Sequence, residues 1–176
     1  RAWEFRKLSV AILPHWTDDE TKFHETVVLS QYLRTRITQQ SDVETKRWLI
    51  GCKRNLHMIL SSIVLLEEAN ISPADLSPNG DRNIQLLLDA WVFLRKNDPA
   101  INVFHARMDE LSNRTAWNPI FMKVFGTTAI NTLVFHGFYY FTPLQERIIR
   151  LLECVGVKLL FLFPYDEKYP YANEIW

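Results

Sequence analysis

Few residues in this sequence have the types and spacing that chemistry requires. The five histidines, His15, His24, His57, His105 and His136, are scattered, with no two of them four apart. Cys52 and Cys154 each lack a second cysteine within four residues. Zinc spacing is therefore absent, and no metal or cofactor is expected. His136 alone falls where a predicted strand ends, the place where α/β folds keep their ligands. The competing reading is a histidine packed in a loop and bonded to backbone. Asp166-Glu167-Lys168 follows an apolar run, in the acid-x-lysine order of a metal-dependent nuclease strand. That chemistry needs a second carboxylate on an adjoining strand, whereas the upstream acids Glu146 and Glu153 fall on a predicted helix, which favours a solvated loop. The nucleophile elbow G-x-S-x-G and the phosphate cradle G-x-x-x-x-G-K-[ST] do not occur. No catalytic residue is assigned, and an enzyme is not expected.

Binding chemistry is better represented. Lys46, Arg47, Lys53 and Arg54 lie on one predicted helix, where a spacing of seven puts 46 with 53 and 47 with 54 on nearby faces. They form either a phosphate-facing patch or an ordinary solvated helix face. Tyr139, Tyr140 and Phe141 crowd one predicted loop, and Tyr165, Tyr169 and Tyr171 crowd another. Beside Lys158, Lys168 or Arg147 they suit stacking on single-stranded bases. They equally suit packing onto the fold or a protein interface.

The element that must position these loops spans 131–166 and reads as strand, turn, helix, strand. The runs 132–135 and 157–163 suit short buried strands. Between them Thr142 is placed as N-cap, Pro143 as first helical residue, and Gln145 completes a Thr-x-x-Gln capping box. Leu144, Ile148, Leu151, Leu152 and Val155 form one stripe, and Gly156 supplies the stop. Two buried strands joined by one helix imply a parallel pair with a right-handed crossover.

Upstream the pattern is helical. Residues 7–13 suit a short lead-in strand ended by Pro14, a candidate third strand for the sheet. Thr17 with Glu20 opens a helix to about Thr38 that buries Phe23, Val27, Leu29 or Ser30, Leu33 and Ile37. Ser41 with Glu44 opens the longest helix, 42–68, with Trp48, Cys52, Leu56, Ile59, Ile63 and Leu66 at helical spacing and Gly51 marking a close helix crossing. Asp81 caps a helix to Lys96 that carries Ile84, Leu87, Leu88, Trp91 and Leu94. Residues 101–111 form another, and Asn118 with Pro119 begins a short helix ending at Gly126. The fold class is thus α/β and helix-rich: a helical region over 1–126, then a β-α-β unit and extended tail over 127–176, together one compact domain.

Composition agrees. A chain of 176 residues with 48% hydrophobic and 13% aromatic content can bury a sizeable core. Twenty basic and twenty acidic residues cancel, so nucleic-acid contact would rest on a local patch. The longest apolar run, 58–66, is too short to span a membrane, and no leader pattern follows Arg1. Two distant thiols fit reduced core cysteines in a cytoplasmic protein. The start at Arg1 suggests a piece of a longer protein.

The stretch 136–152 runs from a strand end through Gly137-Phe138, then Phe141-Thr142-Pro143 and Leu144-Gln145, into a Leu/Ile-rich helix. With the second apolar strand, it resembles the AddB/RexB-type subunit of bacterial helicase–nucleases and, more distantly, UvrD-like helicases. The resemblance implies a P-loop-helicase-like parallel sheet. In motor members the first strand ends in Asp-Glu, which holds magnesium and orients water. Here His136 and Gly137 stand at those positions, Gln145 matches the family's glutamine, and Phe163-Pro164-Tyr165-Asp166 replaces a glycine-rich turn. Histidine and glycine cannot supply that chemistry. The resemblance therefore implies an inactivated, non-catalytic helicase-like segment of a DNA-processing protein that contacts DNA or a partner subunit. The alternative is a helix-rich protein-interaction domain without nucleic-acid function.

Overall fold

Side-chain caps mark where three of the α-helices begin. In the computed structural model, which describes residues 4–16, 19–138 and 140–162, the Asp81 carboxylate accepts from the Asn83 and Ile84 amides at 2.7 and 3.3 Å and opens a helix. Thr142 Oγ1 accepts from the Gln145 amide while Gln145 Oε1 accepts from the Thr142 amide, the reciprocal box expected there. Among the described residues there are eight α-helices: α1 (Phe5–Ile12), α2 (Asp19–Gln39), α3 (Val43–Arg54), α4 (Leu56–Glu68), α5 (Arg82–Asn97), α6 (Ala100–Glu110), α7 (Asn118–Phe125) and α8 (Pro143–Cys154). The strands are β1 (Thr132–His136) and β2 (Lys158–Leu162), which pair in parallel with Thr132 opposite Lys158 and His136 opposite Leu162. α8 connects them, so the chain is helix-rich with a small parallel sheet.

Several sequence expectations are corrected. Residues 7–12 lie in helix α1, with Leu13 at its C-cap, rather than in a strand, because Phe5, Leu8 and Ile12 recur at helical spacing and all three are buried. The sheet has two strands among the described residues, and 7–13 is not its third. The expected long helix is two helices bent by 69° at Asn55. Asn55 Nδ2 donates to the Gly51 carbonyl at 3.1 Å, and the Asn55 amide is shared between the Cys52 and Gly51 carbonyls at 3.1 and 3.3 Å, a bifurcated last turn that ends α3. The bend lets Leu49 of α3 and Leu56, Leu60, Ile63 and Glu67 of α4 all reach the core. Gly51 marks no close crossing, since a Cβ there would meet nothing within 4 Å.

Asp42, not Ser41, caps α3, its carboxylate accepting from the Thr45 amide at 2.7 Å, while Gln40 Oε1 takes the Ser41 and Asp42 amides. Phe23 is 70% exposed on α2, whereas Leu29 and Leu33 of the same expected stripe are buried. Ile84 is likewise exposed, and Leu86 takes its place in the core. Asn118 is the first residue of α7, because the preceding 3-10 turn, Arg114–Trp117, carries the cap position to Trp117. Cys154 is exposed and so is not the expected core thiol, while Cys52 is half-buried against the core. The expected Thr17 cap lies outside the described residues.

The core is aromatic, with Trp91, Phe104, Trp117, Phe121 and Phe135 almost fully buried. α1 packs on α7 and α8, α2 on α3, α4 and α5, and α4 on α8. No single described helix is long and apolar enough to cross a membrane.

Candidate functional site

At the C-terminal end of β1 the backbone turns through Gly137, whose φ of +80° favours glycine. His136, the last strand residue, is exposed, and Gly137 offers no side chain beside it. Gln145 is committed to the α8 cap through both its amide and its side chain. It therefore holds the helix start rather than a ligand. Asp166 lies outside the described residues. Among the described residues no group of three or more His, Cys, Asp or Glu side chains is placed to hold a metal ion.

The aromatics of the first loop divide. Phe138 and Phe141 stack on each other at 5.1 Å and pack edge-on against Phe135, which itself stacks on Phe161 at 5.1 Å. Packing onto the fold is their role. Tyr140 is 75% exposed and stands outside this cluster, and Tyr139, Tyr165, Tyr169 and Tyr171 lie outside the described residues.

Among the described residues the sheet is covered on one face only. Leu133 and Phe135 are buried, and Leu159 and Phe161 half-buried, on the covered side. Thr132, Val134 and His136 of β1 and Lys158, Leu160 and Leu162 of β2 are exposed on the other. Among the described residues the outer edges of both strands also lack a pairing strand. Parallel sheets are ordinarily covered on both faces.

On α3, Lys46, Arg47 and Arg54 are exposed and Lys53 is half-buried. None of the four has an ion pair or side-chain hydrogen bond with another residue. Val43 and Ile50, at helical spacing with Arg47 and Arg54, are also exposed, so the patch is mixed basic and apolar. At its edge the Arg82 guanidinium stacks on Trp48, 4.9 Å from the ring centre. The structure thus brings Lys46, Arg47, Lys53 and Arg54 together on one helix, apart from the strand-end positions His136 and Gly137.

Sequence reasoning missed the densest polar cluster. The Glu67 carboxylate has no solvent exposure and takes hydrogen bonds from Trp91 Nε1, from Arg95 at 2.6 and 2.7 Å, and from His105 Nε2 at 2.5 Å. Burial pushes its carboxyl up, but the bonds from Arg95, Trp91 and His105 outweigh that and hold it below the usual range. Arg147 of α8 donates to the Glu67 carbonyl at 3.3 Å and lies over the Phe104 ring. Phe104 stacks on Trp16 at 4.2 Å, and Trp16 Nε1 reaches Glu68 at 3.1 Å. With every oxygen engaged, Glu67 binds four helices together and has no free valence for a substrate. The signal was present in the spacing: Leu60, Ile63 and Glu67 continue one buried stripe.

Compared with known proteins, the chain matches no family model, no curated protein and no solved structure.

Proposed function

We propose that this chain is a non-catalytic structural segment that acts by contact with other polypeptide, in the manner of an inactivated helicase-like piece of a DNA-processing protein. The observation that carries the reading is the parallel β1–β2 pair with one exposed face and, among the described residues, both edges unpaired. A two-stranded parallel sheet gains its usual cover only when further polypeptide adds to it. His136 and Gly137 at the strand end, and Gln145 spent on a cap, support a role without phosphoryl chemistry. The P-loop-helicase-like assignment of the sheet rests on the motif at 136–152 and its β-α-β setting. ATP turnover with magnesium, surviving rigorous purification, would overturn it.

A second reading, contact with DNA, is favoured by the unpaired basic residues of α3. Filter binding to single-stranded DNA over a salt series separates the two. DNA contact predicts affinity that falls steeply with salt, and joint replacement of Lys46, Arg47, Lys53 and Arg54 by alanine flattens the slope. Absence of affinity at low salt leaves the protein-interaction domain without nucleic-acid function.

A further inference from the structure

Between the outer edge of β1 and the helices α1 and α7 runs a groove of about 790 Å³. Thr132, Val134 and His136 line it from the strand, and Thr127, Ile130 and Phe138 from the turns on either side of β1. The phase of the ladder decides what β1 offers there. The Lys158 amide donates to the Asn131 carbonyl at 2.8 Å, and Thr132 stands opposite Lys158. In a parallel pair alternate residues of a strand bond to its neighbour, so Leu133 and Phe135 serve β2. The amides and carbonyls of Thr132, Val134 and His136 therefore face the groove. Among the described residues none of these groups has a hydrogen-bond partner.

Such an edge is a template for one more strand, whose donors and acceptors alternate in the same way. Size agrees: at strand spacing a residue fills on the order of 160 Å³, so the groove holds about five residues, the length of β1. Charge is one-sided. Arg6 and Lys7 of α1 and Lys123 of α7 are exposed on the flanking helices, and His136 and Lys158 on the open sheet face. None of these cationic side chains has an ion pair. Glu4, at the start of α1, is the one described acid on α1, α7, both strands and the turns beside β1.

We propose that β1 takes up an extended acidic peptide of a partner protein as a third strand, its backbone paired with Thr132, Val134 and His136. Side chains alternate across a strand. Apolar ones lie in the groove against Ile130 and Phe138, and the intervening acidic ones lie on the open face with His136 and Lys158. Such pairing rests on the contact role proposed above and gives that contact its edge and its chemistry.

The test uses the fluorescein-labelled heptapeptide Glu-Val-Glu-Val-Glu-Val-Glu on the purified chain, read by anisotropy at neutral pH. Saturable binding is expected, and the peptide with lysine for glutamate is expected to bind about tenfold more weakly. Methylating the peptide amides that face β1 removes the donors and is expected to abolish binding. These are the Glu amides if the strand adds antiparallel and the Val amides if it adds parallel. Val134→Pro deletes an outward amide and spares the β1–β2 ladder, so it is expected to keep a cooperative melt and to lose the peptide. Thr127→Trp, at an exposed position in the groove, is expected to block the peptide by bulk alone. Binding that survives both methylations overturns strand addition but leaves contact through the open face standing. Equal binding of the lysine peptide overturns the acidic partner. Absence of saturable binding overturns the proposal without touching the non-catalytic reading, which ATP turnover tests. Dimerisation of the chain that is lost in Val134→Pro assigns the edge to a second copy and likewise overturns it.

Discussion

Glu67 and Arg95 meet through two parallel hydrogen bonds, Nε to Oε1 at 2.6 Å and a terminal guanidinium nitrogen to Oε2 at 2.7 Å. The carboxylate has no exposure, and the guanidinium also lies over the Trp91 ring. Such a fork is among the stronger polar contacts, yet its value lies largely in what breaking it leaves behind.

Removing the carboxylate should therefore be severe. Glu67→Ala leaves Arg95, Trp91 and His105 without their acceptor and is expected to cost about 3–5 kcal/mol in urea unfolding. Glu67→Gln keeps the shape and should cost less, on the order of 2 kcal/mol. Because the folded carboxyl lies below its usual range, its contribution is present above the unfolded pKa and disappears as pH falls through the folded value. A wild-type acid limb that is steeper than that of Glu67→Gln is the expected result; parallel limbs would remove Glu67 from the account.

Glu25 should behave in the opposite sense. Its folded carboxyl is raised to about 7, so the folded state holds a proton that the unfolded state releases above pH 4.5. Stability should fall as pH rises through that window and level off above it. Glu25→Gln is expected to stabilise the protein at high pH by about 3 kcal/mol and to be nearly neutral at low pH, measured by thermal melts across the range. A destabilised variant at high pH would contradict the burial argument.

Gln145 offers a test of cap against site. If the reciprocal bonds with Thr142 are its role, Thr142→Ala should cost about 1 kcal/mol and Gln145→Ala somewhat less, with the double variant costing less than their sum. Strict additivity in that cycle would mean the two side chains act separately.

The bare sheet face makes a fourth prediction. Val134 is 44% exposed and Leu160 41% exposed, and they sit opposite each other in the register. Replacing both by threonine should change stability by less than about 0.5 kcal/mol per site. Binding of an apolar dye should decline in parallel. A large loss of stability would mean that this face is packed within the chain itself.

Local signals in the sequence were read well where their partners lie within one helical turn. The Thr142–Gln145 box, the Asp81 cap and the glycine stop at Gly156 all act across three residues or fewer, and each appears where its spacing placed it. The parallel β1–β2 pair followed from two apolar runs and one helix, since a chain of that order has few ways to close. The strand read over 7–13 failed because a window that starts at Lys7 omits Phe5, the residue that completes the helical stripe.

The remainder depended on tertiary structure. The break at Asn55 is favoured because bending lets two short apolar faces reach one core, a gain no local window contains. Glu67 finds Trp91, Arg95 and His105 at separations of 24, 28 and 38 residues, and His24 finds Asp98 at 74. By itself the sequence determined the starts of α5 and α8 and the parallel pairing of the two strands, since these depend on neighbours along the chain. Only the folded arrangement decided which acids are buried, because a carboxylate's solvation depends on what packs over it.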